Sequence, residues 1–153
     1  MPEIGEKAPD FTMSTDNGED VSLAGLQGQK FVLYFYPKDD TPGCTTEAIG
    51  FSARLREFEN LGVKIIGVSK DSVAKHAKFR AKHDLSVILA ADDDGATCEA
   101  YGVWVEKNMY GRKYMGIERA TFLIDGDGVI REIWRKVKVK NHVEAVLEAA
   151  AAL

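Results

Sequence analysis

Cysteine is scarce in this chain: Cys44 and Cys98 are the only two among 153 residues. Two thiols are too few to staple a small secreted fold, and a chain of this length needs no staples. Neither belongs to a C-x-x-C pair, so a dithiol-exchange motif is absent. A four-cysteine zinc site is impossible, and His76, His83 and His142 form no H-x-x-x-H pair. No metal and no cofactor are therefore expected. Long hydrophobic runs are missing as well. Nothing approaches the roughly 20 consecutive apolar residues that cross a bilayer. Met1 to Asp10 carries Glu3, Glu6, Lys7 and Asp10 with no apolar core, so no secretory signal and no membrane partner are expected. Positive charge is not in excess either. The net charge of -4, with a pI near 5.4, argues against nucleic acid as a partner. There is no internal repeat, low-complexity tract or Pro/Gly/Ser-rich linker. The expectation is one domain spanning 1–153, located in the cytoplasm.

What is present has the balance of a globular protein, with 45% apolar and 29% charged residues. Phe31 to Tyr36 is a continuous apolar run ended by Pro37, which reads as a buried strand. Ala48, Phe51, Leu55 and Phe58 recur at steps of three and four, which predicts one amphipathic helix over Thr45 to Leu61, ended by Gly62. Lys64 to Ser69 is a second buried strand, and Ser72 can cap a helix running to about Lys82. Val87 to Ala90 reads as a short strand and Asp94 to Tyr101 as a short helix. Ala120 to Ile124 and Val129 to Val137 flank the turn signal of Asp125 to Gly128. A closing helix starts near Asn141, a fitting N-cap, and Asn17-Gly18 marks an N-terminal β-hairpin. The order reads as an α/β fold, and a central mixed sheet flanked by helices on both faces accommodates it.

The segment from Tyr36 to Ala48 leaves a buried strand and enters a helix directly. Cys44 thus falls in or just before the first helical turn, where unpaired N–H groups and the positive end of the macrodipole favour a thiolate. The effect is large: a free cysteine with a pKa of about 8.5 is about 3% ionised at pH 7, and one lowered to about 6 is about 90% ionised. Pro37 stiffens the loop, Pro42-Gly43 can turn it sharply, and Thr41 can share a bound oxygen with Cys44. Loops at the C-terminal ends of parallel strands are where α/β sheets bind ligands. A lone cysteine is most often a small buried hydrophobe, but burial does not explain Pro37, Thr41 and a helix start together.

Pro37-x-x-x-Thr41-x-x-Cys44 resembles the P-x-x-x-T-x-x-C signature of peroxiredoxins, and Phe35 to Lys38 resembles the strand leading into it. Gly5 to Phe11, Tyr101 to Trp104 and Gly116 to Asp125 are similar to further blocks of that family. The length and block order resemble its bacterioferritin-comigratory (Q-type) subfamily. The resemblance implies a thioredoxin-like fold with an N-terminal β-hairpin extension. It implies a thiol-specific peroxidase, an antioxidant oxidoreductase reducing hydrogen peroxide and organic hydroperoxides through a Cys44 sulfenic acid. By the same resemblance the redox-active centre comprises Cys44, Thr41, Pro37 and Arg119. The physics agrees, since a fixed guanidinium stabilises charge on the leaving oxygen. Without the resemblance, Arg119 reads as a surface arginine at a strand entrance.

The sulfenic acid must be reduced before the next turnover. Many Q-type members carry a resolving cysteine five positions after the first, where this chain has Ile49. Others carry it on the helix after the second core strand, where Arg80 stands. Cys98 shares a helix face with Tyr101 and reads as a buried structural thiol. Bridging it to Cys44 would need Cα atoms within about 7 Å. The expectation is a one-cysteine mechanism completed by an external thiol such as thioredoxin or glutathione, in a monomer, with a weak dimer as the alternative. The competing reading is a peroxide-sensing thiol switch that relays oxidation to a partner protein.

Other features have plain readings. Asp92 to Gly95 lacks the spaced ligands of a calcium loop and reads as a helix cap. Arg131 to Lys140 alternates like a half-exposed strand rather than a nucleic-acid patch. His76 and His83 share a helix with nothing catalytic in view, and Trp104 and Trp134 read as core or groove-lining aromatics.

Overall fold

In the computed structural model, which describes residues 1–153, the expected N-terminal hairpin joins β1 (Thr12–Thr15) to β2 (Asp20–Ser22). Its turn uses Gly18 at φ +87°, a conformation that suits glycine. A 3-10 turn at Ala24–Leu26 leads to β3 (Lys30–Phe35). Then follow α1 (Pro42–Ala53), α2 (Leu55–Asn60), β4 (Val63–Ser69), α3 (Val73–His83), β5 (Ile88–Ala91) and α4 (Ala96–Ala100). The chain continues through β6 (Trp104–Met109), β7 (Arg112–Ile117), β8 (Ala120–Ile124) and β9 (Ile130–Trp134) to α5 (His142–Ala151).

The main sheet has seven strands in the order β2-β1-β5-β4-β3-β8-β9. β3, β4 and β5 are parallel and need helical crossovers, while β8 and β9 add antiparallel strands on the far side of β3. Side chains of β3 alternate between two cores. Val32, Tyr34 and Tyr36 face a core that contains Phe51, Phe58, Phe79 and Val146, contributed by α1, α2, α3 and α5. Phe31, Leu33 and Phe35 face a second core with Phe11, Leu26, Cys98 and Tyr101, closed by the N-terminal segment, α4 and the end of β7. Each fully buried aromatic contributes about 1.5–3 kcal/mol of hydrophobic stabilisation, so both faces must be covered.

Several expectations are corrected. The helix over 45–61 is two helices, broken at Arg54 (φ -101°, ψ 5°). The strand expected to reach Val137 stops at Trp134, and Lys136 takes a left-handed φ of +48°. Asn141 sits at the start of α5 in a left-handed conformation, and its side chain caps nothing. The β6–β7 hairpin was not expected: its turn, Tyr110-Gly111, has positive φ at both residues, yet lacks the usual Asn-Gly or Asp-Gly signal. Two caps form as expected. Ser72 Oγ accepts from Lys75 N at 3.2 Å, and Asp92 accepts from the Thr97 and Cys98 amides at the start of α4.

Candidate active site

β3 runs between β4 and β8, and its last residues deliver the chain to the edge where the parallel β4 also ends and the antiparallel β8 begins. Tyr36 N still donates to Val68 O, after which Pro37 begins the loop to α1. Pro42 occupies the first helical turn, where a missing N–H is harmless. Thr41 stands at the N-cap, yet its hydroxyl donates to Lys38 O at 2.8 Å instead of capping the helix. The amides of Gly43 and Cys44 consequently have no acceptor in the fold, and the first backbone bond of the helix is Thr45 N to Thr41 O. Two free N–H groups at the positive end of a helix make an anion site beside the cysteine.

Cys44 is 1% exposed and sits in the α1 core beside Ala48 and Phe51. Arg119 precedes β8, whose Ala120 pairs with Phe35, so the register sets the guanidinium beside the cysteine loop. Its Nη2 donates to Cys44 Sγ at 3.4 Å, and its Nη1 donates to Glu47 Oε1 at 2.7 Å. Gly43 makes room for it, since a Cβ there would lie 3.1 Å from Nη2. Thus Cys44 and Arg119, paired from sequence, are in contact. Pro37 and Thr41 flank them in the same loop.

Sequence reasoning missed Glu47. It lies three residues after Cys44, the spacing that puts two side chains on one helical face, and that was the available signal. Its carboxylate is fully buried, with Oε2 unpartnered. Burial raises its pKa to about 7 against the opposing pull of Arg119. Tyr34 lies beneath with an unpartnered hydroxyl, stacked on Phe51 at 4.7 Å between centroids. His142 is also buried, bonded to the Thr121 hydroxyl at 2.8 Å; burial and then Arg119 push its pKa down to about 4.

The histidines of α3 belong to the loop after all. His76, fully buried, holds Asp39 through Nδ1 at 2.6 Å and Ala90 O through Nε2 at 2.9 Å. Burial opposes its charge, but Asp39 outweighs that and raises its pKa. His83 and Lys82 bind Asp40 at 2.8 and 2.7 Å. Asp39 also accepts from Tyr36 Oη, and its amide donates to Asp71. The loop between Pro37 and Thr41 is thereby tied to α3 and to the end of β4.

Cys98 is fully buried in the other core, so the sheet separates it from Cys44. Burial, reinforced by Asp92, raises its pKa strongly and keeps it a thiol. Ile49 is 45% exposed on α1, facing away from the core. Arg80 holds Asp16, Leu85 O and Val87 O, fastening α3 to the N-terminal hairpin loop.

A cysteine at a helix start, held against a partly buried arginine on a thioredoxin-like sheet, is the arrangement of a thiol peroxidase. The AhpC/TSA family model matches residues 4–133, and the chain belongs to that family. Within it the chain is a peroxiredoxin of the Bcp, or Q, type. The putative peroxiredoxin Bcp of Coxiella burnetii is 54% identical, with 95% of this chain and 96% of the relative covered. Peroxiredoxin Bcp of Bacillus subtilis is 53% identical over 95% of this chain and 93% of its own. Among solved structures, peroxiredoxin Q of Xanthomonas campestris superposes with a TM-score of 0.89 at 48% identity, covering 93% of this chain and 90% of that one. A mutant peroxiredoxin Q of Xylella fastidiosa gives 0.92 at 40% identity, covering 98% and 96%.

Proposed function

We propose that Cys44 is the peroxidatic nucleophile, that Thr41, Arg119 and Pro37 complete its site, and that an external thiol resolves it. The contact of Arg119 Nη2 with Cys44 Sγ at 3.4 Å carries this reading. A guanidinium in a water-poor site stabilises both the attacking thiolate and the charge that develops on the leaving oxygen. The Thr41 hydrogen is committed to Lys38 O, so its oxygen lone pairs accept the hydroperoxide O–H and orient it. Pro37 stiffens the approach. Glu47 is a positioning residue that holds the other guanidinium nitrogen.

In the first step Cys44 thiolate attacks the terminal oxygen of R–O–O–H. An S–O bond forms, the O–O bond breaks, and the departing alkoxide takes a proton to become R–OH. The product is Cys44 sulfenic acid. An external thiol then displaces water to give a mixed disulfide, and a second thiol releases Cys44. The burial of Cys98 across the sheet, together with Ile49 and Arg80 at the two usual resolving positions, supports a one-cysteine cycle.

Steady-state consumption of hydrogen peroxide with thioredoxin, glutathione and other small thiols tests the reading. Wild type and Cys98→Ser turn over at comparable rates with at least one reductant, and Cys44→Ser does not turn over. A dead Cys98→Ser with reactive Cys44 would establish an internal resolver instead. A wild type that reacts once and stalls with every reductant would favour the sensing switch.

A further inference from the structure

Cys44 and Glu47 stand on one face of α1 and share one guanidinium, with Arg119 Nη2 on the sulfur and Nη1 on Oε1. Both acids are buried, at 1% and 0% exposure, and the arginine side chain is 16% exposed. The other titratable groups around this trio supply no second cation in contact. Burial, and then Glu47 and Cys44, hold the Tyr34 hydroxyl protonated. Burial, and then Arg119, push the His142 pKa down to about 4, so its ring is neutral at physiological pH. Asp39 and Glu118 are bound to His76 and Arg135. Lys107 is within electrostatic reach of Arg119 and Cys44 but forms no ion pair with Glu47.

One cation therefore serves two acids in a water-poor site, and two anions against it would leave a net negative charge there. The hydrogen bonds agree with a neutral Glu47. An ionised carboxylate offers about four acceptor sites. Glu47 uses Oε1 alone, and Oε2 is buried without a partner. A buried carboxylate left so bare is costly, and a carboxylic acid carrying its proton on Oε2 is less so. The raised pKa of Glu47, about 7, has the same origin, since burial outweighs the pull of Arg119.

We propose that Glu47 is the proton store of this site, holding a proton while Cys44 is a thiolate and releasing it when Cys44 is oxidised. Glu47 acts through Arg119 rather than by contact with the peroxide, so it is a positioning residue. The inference rests on Cys44 being the peroxidatic nucleophile. Before attack the trio holds thiolate, guanidinium and carboxylic acid. The sulfur gives an electron pair to the terminal oxygen, the O–O bond breaks, and the departing alkoxide takes a proton. Formation of the sulfenic acid removes the negative charge from sulfur and leaves Arg119 to Glu47 alone, and Glu47 gives up its proton. The trio then holds sulfenic acid, guanidinium and carboxylate, and its net charge is unchanged. When the second thiol releases Cys44 as a thiolate, the proton that thiol loses restores Glu47.

Infrared difference spectroscopy tests this on the reduced protein, oxidised by hydrogen peroxide without any thiol at about pH 6, where Glu47 starts protonated. Wild type is expected to lose a carboxylic-acid carbonyl band and gain carboxylate bands as Cys44 is oxidised. Glu47→Gln shows no such change. A pH-indicator dye in weak buffer gives a second reading: wild type takes up almost no protons, and Glu47→Gln takes up about one per Cys44. Cys44→Ser provides a check that needs no oxidation. Serine carries no charge, so the Glu47 band should titrate about one pH unit or more lower than in reduced wild type. Carboxyl bands unmoved by oxidation of wild type would overturn the proposal, as would equal proton uptake by wild type and Glu47→Gln. So would one and the same Glu47 midpoint in Cys44→Ser and reduced wild type, since Glu47 would then be structural alone. A wild type whose Cys44 gains no oxygen, read by intact mass, would instead overturn the peroxidase reading beneath it.

Discussion

Arg119 touches Cys44 with one nitrogen and Glu47 with another, so charge and position are supplied by different contacts. Arg119→Met removes both, and stopped-flow oxidation of Cys44 by hydrogen peroxide should slow by about 100-fold or more. Glu47→Gln keeps a hydrogen-bond acceptor for Nη1, so the loss should be much smaller. Its larger effect is on stability. The native pKa of Glu47, about 7, exceeds the ordinary 4.5, so the folded state binds the extra proton and stability falls as pH rises between these values. His142, held near 4 against an ordinary 6.5, works in the opposite sense: stability rises with pH over that window. The two oppose each other in wild type. In Glu47→Gln only the His142 contribution remains, and urea midpoints should rise more steeply from pH 4.5 to 6.5 than in wild type. A parallel profile would mean that Glu47 titrates normally. At this scale the spacing of a motif singled out Pro37, Thr41 and Cys44 as candidates, while Arg119 was reached only through a family resemblance in the block around it. Neither disclosed Glu47, Tyr34 or His142, whose significance lies in burial and in contacts across the fold.

At the scale of elements, the loop from Pro37 to Thr41 depends on α3. Asp39 and His76 are both nearly inaccessible to water, and Asp39 also anchors the Tyr36 hydroxyl. Asp39→Ala would leave a buried imidazole without its counterion and should cost about 3 kcal/mol in urea unfolding. Asp40→Ala, which breaks an exposed pair with Lys82 and His83, should cost under about 1 kcal/mol. Similar losses for the two would refute the view that Asp39 is the principal tie. The buried strands were legible because continuous apolar runs ended at Pro37 or at Ser69. The break at Arg54 was not, since neither glycine nor proline marks it and the apolar spacing runs through unchanged. The β6–β7 hairpin was hidden for a related reason. Most of its residues are exposed, so no apolar alternation reveals it.

Across the whole molecule the sheet divides the two thiols. Cys44 shares its core with α1, α2, α3 and α5, and Cys98 shares the other with Phe11 and Tyr101. An internal disulfide would require Cys98 to leave a fully buried position and cross the plane of seven strands. The mixed sheet and its helical crossovers could be deduced from the order of strand-like and helix-like runs. Which face each helix covers could not, because that depends on the handedness of the crossovers and on strand register. Arg80 adds to the separation, since its bonds to Asp16, Leu85 O and Val87 O hold α3 folded at a position where the family resemblance would place a resolving cysteine. Intact-mass analysis of the reduced protein after one equivalent of hydrogen peroxide, with peptide mapping, tests this directly. One added oxygen on Cys44, or a mixed disulfide there when a small thiol is present, is the predicted product. A Cys44–Cys98 disulfide as the main species would contradict it.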